Sequence, residues 1–257
     1  MDLCRKKLPK PLRSLAVALL GMCSFNQVHA GAATFSTTNV QYLVGHNYEL
    51  GDSTRSIITL EHADIWKYGD NFFFVDITNP NRTGTQTPTS YYSELSPRLS
   101  LGKIFSGQEW SYGPIKDVLF TSTAELPDSR DAKRTYLYGV AVDFKIPGFV
   151  LAQVNYYARN SMDSNIKTGQ QVTLVWLVPF SVGVVDFVFE GFLDYAYDVA
   201  PQKNNLLTQP RFLVDIGKLF SSAGNLYAGM EYDYWRNKFG IDGVTERCPQ
   251  AMVKWVF

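Results

Sequence analysis

The chain has 257 residues with 24 basic and 24 acidic side chains, and aromatic residues make up 14% of it. This charge balance gives no indication of a nucleic-acid partner. The three cysteines and three histidines form no cluster with metal-ligand spacing, so we expect no metal, no cofactor and no catalytic set.

Residues 1–30 have the features of a secretory signal peptide. Basic residues between positions 5 and 13 precede a short apolar run at 15–22, and positions 28–30 read Val-His-Ala, as at a small-residue cleavage site. The run is too short to span a bilayer as a helix. We therefore expect the mature chain to begin at Gly31, which leaves 227 residues with 19 basic and 23 acidic side chains.

Apolar residues at alternate positions recur along the rest of the chain, a period that is typical of β-strands with one wet face. Most of these segments have the roughly 9–11 residues that a tilted strand needs to cross a bilayer. Short turns tend to alternate with longer polar loops, as in outer-membrane barrels. We predict about twelve strands, near 37–47, 55–67, 71–78, 90–102, 115–126, 134–145, 149–159, 170–179, 184–198, 209–216, 224–237 and 246–257.

These strands predict an all-β fold: a transmembrane antiparallel β-barrel of about twelve strands in an up-and-down meander, formed by residues 31–257. The apolar run 174–185 is interrupted by Pro179 and Gly183, and we interpret it as two strands with a tight turn at Pro179. The stretch 103–114 breaks the alternation, because a short turn is expected there.

The strand near 184–198 shows the two faces most clearly. Its polar face carries Asp186, Glu190, Asp194 and Asp198, which suits a wet lumen. Its other face is apolar and ends in Tyr195 and Tyr197, as aromatic girdles at a membrane interface do.

The last residues of the chain form a strand that ends on an aromatic side chain. Ala251, Val253, Trp255 and Phe257 fall on one face, and Lys254 falls on the other. This ending is similar to the closing strand of bacterial outer-membrane barrels, in which the end of the chain is also the signal for the assembly machinery. An edge strand of a soluble protein with this ending would be prone to aggregation.

Two neighbouring motifs carry a family resemblance. Glu94-Leu95-Ser96-Pro97-Arg98-Leu99-Ser100-Leu101 is followed by Trp110-Ser111-Tyr112-Gly113-Pro114-Ile115-Lys116-Asp117. Together they resemble the nucleoside-specific channel-forming porins, the Tsx-like family that includes the OmpK-type proteins. The resemblance runs from about Thr54 to Phe257. The predicted mature N-terminus differs, since Thr34-Phe35-Ser36 stands where the family usually has tryptophans.

The resemblance implies a monomeric twelve-stranded barrel in the bacterial outer membrane that passes nucleosides by facilitated diffusion. Its implied partners are nucleosides as solutes, outer-membrane lipids, and the barrel assembly machinery through Phe257. The strand number agrees, because barrels of about eight strands are filled by side chains and those of sixteen or more leave a wide channel. About twelve strands predict a narrow passage, where weak solute binding lets a solute both enter and leave.

The candidate substrate-binding residues are charged and aromatic side chains predicted to face the lumen. Carboxylates accept hydrogen bonds from sugar hydroxyls, and aromatic rings stack bases. The candidates are Glu61, Phe73, Glu94, Arg98, Asp117, Tyr157, Arg159, Glu190, Asp194, Glu231, Asp233 and Trp235.

Four other functions remain open on the sequence alone. One is a general or other-solute porin, and another is a receptor or adhesin barrel without nucleoside specificity. A third is a soluble periplasmic ligand carrier. A fourth is a barrel lipase, which needs a Ser-His-acid set built on His46 or His62. Lipidation at Cys23 is a further possibility for the leader, although Met22 stands where such sites have a small residue.

Overall fold

The computed structural model describes residues 33–80, 88–128 and 134–257, within the compact unit Ala33–Phe257. The predicted signal peptide, its cleavage site and Cys23 lie outside these residues. The described residues form thirteen strands: β1 Ala33–His46, β2 Thr54–Trp66, β3 Gly69–Thr78, β4 Ser90–Ser100, β5 Ile115–Pro127, β6 Thr135–Phe144, β7 Leu151–Ser161, β8 Gly169–Val182, β9 Val185–Tyr197, β10 Asn205–Thr208, β11 Arg211–Asp215, β12 Leu226–Arg236 and β13 Thr245–Val256.

The same residues also contain one short α-helix, α1 Leu101–Ser106, and two 3-10 segments, Gly217–Phe220 and Lys238–Gly240. None of the helices among them is long and apolar enough to span a membrane.

The strands close into a barrel. Each strand from β1 to β9 pairs antiparallel with the next, β12 pairs with β13, and β13 returns to β1 with Val40 opposite Trp255. β10 and β11 both pair with β9 on one side and β12 on the other, so they share one position in the wall. The predicted twelve-stranded antiparallel meander is therefore confirmed.

The shared position is broken at Gln209 and Pro210. Proline has no backbone N–H to donate to the ladder, so one strand becomes two short ones there. The gap is bridged from both sides, because Gln209 N donates to Phe192 O at 3.2 Å and Tyr232 N donates to Pro210 O at 3.0 Å.

The two ends of the barrel differ in their connections. The end that holds Phe257, here called the turn end, includes the two-residue turns 67–68 and 183–184. The opposite end, here called the loop end, carries the connections that follow β1, β3, β5, β7, β9 and β12, each of seven residues or more. At the turn end the last residue of the chain is joined to β1, because Phe257 N donates to Thr38 O at 2.9 Å.

The turn predicted at Pro179 is wrong by four residues. Pro179 lies within β8, opposite Val188 of β9, and the turn is at Gly183 and Val184. The fixed φ of proline near −65° lies within the β region, so a proline close to a strand end need not stop the strand. Gly183 has φ of 62°, a left-handed conformation that glycine adopts without steric cost.

The connection between β4 and β5 includes the stretch 103–114, where a short turn was expected, and it contains α1. The hydroxyl of Ser100 caps the helix by accepting a hydrogen bond from Lys103 N at 3.1 Å. The chain then returns to β5, where Asp117 Oδ1 accepts from Trp110 N at 3.2 Å. This connection is long because it holds a helix, and it is tied to the base of β5.

The barrel has its polar residues inside and its apolar residues outside. On the inner face Gln41 and Glu246 are fully buried, whereas on the outer face Tyr138 is 50% exposed and Trp255 is 56% exposed. A soluble sandwich would bury the apolar face instead. An apolar outer band around a polar interior is the arrangement of a transmembrane barrel, in which lipid covers the outer face.

Candidate functional site

The candidate site is the barrel lumen, and its centre is crossed by a network of charges. Arg211 Nε lies 2.6 Å from Glu231 Oε2, and Arg211 Nη1 lies 2.8 Å from Glu61 Oε1. The same Nη1 is 3.6 Å from Glu190 Oε1, which also receives Lys254 Nζ at 2.6 Å. These five residues are the central ion cluster. Because β2 and β11 are not neighbours, the Arg211–Glu61 pair spans the interior, and the lumen is narrow at this level.

Amide side chains complete the central ion cluster. Asn39 Nδ2 donates to Glu61 at 3.1 Å, and Gln250 Nε2 donates to Glu231 at 2.8 Å. Buried charges are stable only when their remaining hydrogen-bonding capacity is met, which these amides provide. The cluster is therefore a fixed, hydrogen-bonded group of inner side chains that joins β9, β11–β13, β1 and β2.

A second ion pair braces the wall nearer the turn end. Arg98 binds Asp70 with Nε and Nη2 at 2.8 and 2.7 Å, and binds Asp143 with Nη1 and Nη2 at 2.7 and 3.1 Å. Such bidentate guanidinium–carboxylate pairs are strong and directional. They join β3, β4 and β6, so Arg98 acts as a structural clamp across β5.

On the side of the barrel formed by β3 to β9, three carboxylates accept hydrogen bonds from hydroxyl groups and not from basic side chains. Thr59 donates to Asp76, Tyr92 donates to Glu94, and the third is a Thr173–Asp194 bond, each at 2.5 Å. Among the described residues no ion pair forms with any of these three carboxylates. These three carboxyl groups, Asp76, Glu94 and Asp194, are here called the acidic wall.

An arginine pair lies beside this acidic wall. Arg159 of β7 binds Glu125 of β5 through both terminal nitrogens, and it also donates to Gln171 Oε1 at 2.9 Å. Glu94 lies opposite Glu125, and Gln171 Nε2 donates at 3.0 Å to Thr173 Oγ1, whose hydroxyl bonds to Asp194. A chain of contacts across β5, β7 and β8 therefore joins Glu94 of β4 to Asp194 of β9.

Three aromatic rings form a ladder on the inner face of β3 and β4. Phe72 and Phe74 have ring centroids 6.0 Å apart, and Phe74 and Tyr92 have centroids 5.9 Å apart. The hydroxyl of Tyr92 binds Glu94, so the aromatic ladder adjoins the acidic wall. Phe72 remains 38% exposed, so part of this ladder is accessible to a solute in the lumen.

A further cluster of side chains lies at the loop end of the lumen. Lys238 pairs with Glu246 and lies 4.6 Å from the ring centroid of Trp235. Tyr48 donates to Gln250 Oε1 at 2.6 Å, and burial raises the pKa of its hydroxyl well above the usual range. These contacts tie the connection after β1 to β13.

Most of the predicted lumen residues face inward. The register places them on the face that holds Arg211 and the other residues in contact across the barrel: Glu61, Glu94, Arg98, Asp117, Tyr157, Arg159, Glu190, Asp194, Glu231, Asp233 and Trp235. They do not form one site, because Arg98, Glu61, Glu190 and Glu231 are held by ion pairs and Asp117 caps backbone groups.

The prediction that Phe73 faces the lumen is wrong. Phe73 lies opposite His62 of β2 and Leu95 of β4, and Leu95 is exposed on the outer face. Residues directly opposite in antiparallel strands share a face. Phe72 and Phe74 point inward instead, because Phe74 lies opposite Glu61 and Glu94.

Several lumen residues were missed by the sequence analysis. Arg211 and Asp215 alternate with apolar residues in β11, so the period-two signal for them was present in the sequence. The three consecutive phenylalanines carry no such signal, and only pairing with β2 and β4 sets their phase. Tyr92 was missed for a similar reason, since it follows Tyr91, which is exposed on the outer face.

The inner wall is strongly acidic. The inward-facing basic residues of the described strands are Arg55, Arg98, Arg159, Arg211 and Lys254. The inward-facing carboxylates of the same strands are Glu61, Asp70, Asp76, Glu94, Asp117, Glu125, Asp143, Asp186, Glu190, Asp194, Asp215, Glu231, Asp233 and Glu246. Carboxylates therefore far outnumber basic groups along the passage.

The histidines bear on the lipase alternative. His46 bonds to Thr54, and His62 lies on the outer face, where its Nδ1 bonds to Thr38 at 2.8 Å. His62 Nε2 is 3.6 Å from Asp64 Oδ2, which is beyond hydrogen-bond distance. These contacts do not assemble a Ser-His-acid set. Across the described ranges, no group of three or more His, Cys, Asp or Glu residues is placed to hold a metal ion.

Comparisons with known proteins give a family and a fold. The family model described as the nucleoside-specific channel-forming protein, Tsx, matches residues 32–247, which extends further toward the N-terminus than the resemblance in the motifs. No curated protein sequence matches the chain.

Two of the solved structures that match the fold of this chain are structures of a porin. The KdgM porin has a TM-score of 0.50 at 8% identity and covers 85% of this chain and 99% of its own. The KdgM porin in complex with disordered oligogalacturonate has a TM-score of 0.50 at 7% identity and covers 86% and 99%. At these identities the likeness concerns the barrel and not its solute.

Proposed function

The chain belongs to the family of nucleoside-specific channel-forming Tsx proteins, and from this premise we propose that nucleosides diffuse through its lumen, aided by weak binding to the wall. Family membership and the porin-like barrel identify an outer-membrane channel. Family and fold are those of channels and not of enzymes. The choice of nucleosides as solutes is the part that we propose.

The observation that carries the proposal is the aromatic ladder beside the acidic wall. Phe72, Phe74 and Tyr92 form a continuous series of rings, of which Phe72 is 38% exposed and available to stack on a base, and Glu94 offers a carboxylate next to Tyr92. Stacking on an aromatic ring contributes about 1–3 kcal/mol per base, and carboxylates accept hydrogen bonds from sugar hydroxyls. A contact of about 4 kcal/mol corresponds to millimolar binding. Such weak binding speeds a dilute solute without trapping it.

The test is uptake of labelled adenosine or thymidine at submicromolar concentration by cells that lack other nucleoside channels. We expect Phe74→Ala to slow uptake several-fold, because its ring is part of the inner ladder. Phe73→Ala is the matched control, since it removes the same side chain from the adjacent, outward-facing position. Asp194→Asn tests the acidic wall in the same assay. Folding of each variant is checked by its heat-dependent mobility in gels.

Two results would contradict nucleoside transport. One is uptake by the wild type no faster than in cells without the protein. The other is equally fast passage of unrelated sugars of the same size, which would identify a general or other-solute porin. A barrel that inserts normally but passes no solute would support the receptor alternative.

The remaining parts of the proposal concern export and assembly. We infer that residues 1–30 direct secretion in a bacterial cell, that the turn end faces the periplasm, and that the barrel acts as a monomer. We also infer that the assembly machinery reads Phe257, which is 66% exposed at the turn end, and that lipids cover the apolar outer face.

A further inference from the structure

The acidic excess in the lumen has consequences for charged solutes as well as for nucleosides. Most basic groups of the inner wall are already engaged: Arg98 by two carboxylates, Arg159 by Glu125, and Arg211 by three carboxylates. Their positive charge is therefore compensated locally. The charge that remains along the passage is negative.

Three of the inner-wall carboxylates that form no ion pair among the described residues lie on the β3–β9 side. Asp76, Glu94 and Asp194 each have a hydroxyl donor at 2.5 Å, and a neutral hydroxyl does not cancel a carboxylate charge. A chain of contacts joins Glu94 to Asp194, because Glu94 lies opposite Glu125, which binds Arg159, and Arg159 is linked through Gln171 and Thr173 to Asp194. Both carboxylates therefore lie on the same section of the lumen. A solute that passes through this section lies near both carboxylates.

A separate observation also favours positively charged solutes. Among the described residues, three buried side-chain oxygens on the inner face receive no hydrogen bond from a protein N–H or a hydroxyl: Gln41 Oε1, Asn155 Oδ1 and Asp233 Oδ1. These residues are 0%, 3% and 4% exposed, respectively. Asn155 lies opposite Thr173, whose hydroxyl bonds to Asp194, so one of these oxygens adjoins the acidic wall. Buried acceptors without donors are satisfied by a cation or by the water around it.

The width of the lumen makes these charges effective. The Arg211–Glu61 contact at 2.8 Å joins strands that are not neighbours, so the interior is narrow at that level. A charge inside a narrow, low-dielectric barrel is screened less than one on an open surface. Rings of carboxylates in such passages select for cations.

We propose that the lumen conducts small monovalent cations in preference to anions, with Glu94 and Asp194 as the carboxylates that set this selectivity. The inference concerns inorganic ions and small organic ammonium ions, and it does not depend on nucleoside binding. It needs only that the barrel forms a passage.

The experiment measures the reversal potential of the purified protein in planar bilayers under a tenfold gradient of potassium chloride. We expect the permeability of potassium to be about tenfold that of chloride. A ratio of this size needs only a modest difference in electrostatic free energy between the two ions in the lumen. Glu94→Gln combined with Asp194→Asn should lower this ratio several-fold. These amides keep the size of the side chains and can still accept the hydrogen bonds from Tyr92 and Thr173.

The matched control is Asp64→Asn, which removes a carboxylate from the outer face of β2 next to His62. It should leave the permeability ratio unchanged. A wild-type ratio near one, or one that favours chloride, would overturn the proposal even if every variant failed to fold. A double variant that folds and keeps the wild-type ratio would show that Glu94 and Asp194 do not set the selectivity. Failure of nucleoside uptake with cation selectivity intact would refute only the proposed solute.

Discussion

Replacement of Arg211 tests whether the central ion cluster holds the barrel together. Arg211→Met keeps a long apolar stem and removes the guanidinium. It leaves Glu61, Glu190 and Glu231 facing one another, all of which lie within 3.6 Å of Arg211 in the wild type. Only Lys254 remains to offset them, through its contact with Glu190 at 2.6 Å.

The magnitude follows from burial and distance. At an effective dielectric constant of about 20, one pair of unit charges at 2.8 Å interacts by roughly 6 kcal/mol. Most of this gain is offset by the cost of taking the charges out of water, so the measured cost of removing one partner from a buried pair is about 3–5 kcal/mol. The side chain of Arg211 is only 14% exposed. Because Lys254 relieves part of the repulsion, we expect a loss near 3 kcal/mol.

The assay is urea-induced unfolding of the protein in detergent micelles, followed by tryptophan fluorescence. We expect Arg211→Met to unfold at lower urea than the wild type and Arg211→Lys to fall between them, since lysine keeps the charge but cannot bind in two directions. Lys203→Met is the control, because it breaks an exposed pair with Asp242 and should not shift the transition.

A wild-type urea midpoint for Arg211→Met would refute this reasoning. It would mean that water or relaxation of the three glutamates replaces the guanidinium at no cost. Partial recovery on adding Glu61→Gln and Glu231→Gln to Arg211→Met would support it, since those changes remove the uncompensated charges.

Two further predictions concern assembly and strand packing. Deletion of Phe257, whose backbone N–H bonds to Thr38 O at 2.9 Å, should lower the amount of folded protein in the membrane without changing synthesis. The control Phe105→Ala, which removes an exposed ring from α1, should leave that amount unchanged. Normal levels of protease-resistant protein after the deletion would count against an assembly signal at the end of the chain. Gly139→Ala should lower the free energy of unfolding by about 1–3 kcal/mol, as overpacking does. The reason is that its Cβ would lie 1.8 Å from Tyr156 O in the neighbouring strand. An unchanged urea midpoint would show that β6 and β7 can move apart at this position without cost.

The fold could be predicted from local patterns in the sequence. Alternation with period two gave the strands, and the closed antiparallel meander followed from their number and connections. The inward or outward direction of Glu94, Asp194 and Glu231 followed in the same way, because a strand with one apolar face has only one favourable orientation in a membrane. The turn at Gly183 was misplaced to Pro179, since proline both ends strands and fits the β region.

The tertiary structure alone decided which inner side chains meet. Three consecutive phenylalanines fit either face equally well, and their phase is set by pairing with Glu61 and Glu94 on the neighbouring strands. Arg211 and Glu61 are 150 residues apart in the chain, and only closure of the barrel brings them to 2.8 Å. Alternation is a local property of the backbone and is therefore written in the sequence. Contacts across the lumen depend on the register and curvature of all the strands together, so they are determined only when the barrel closes.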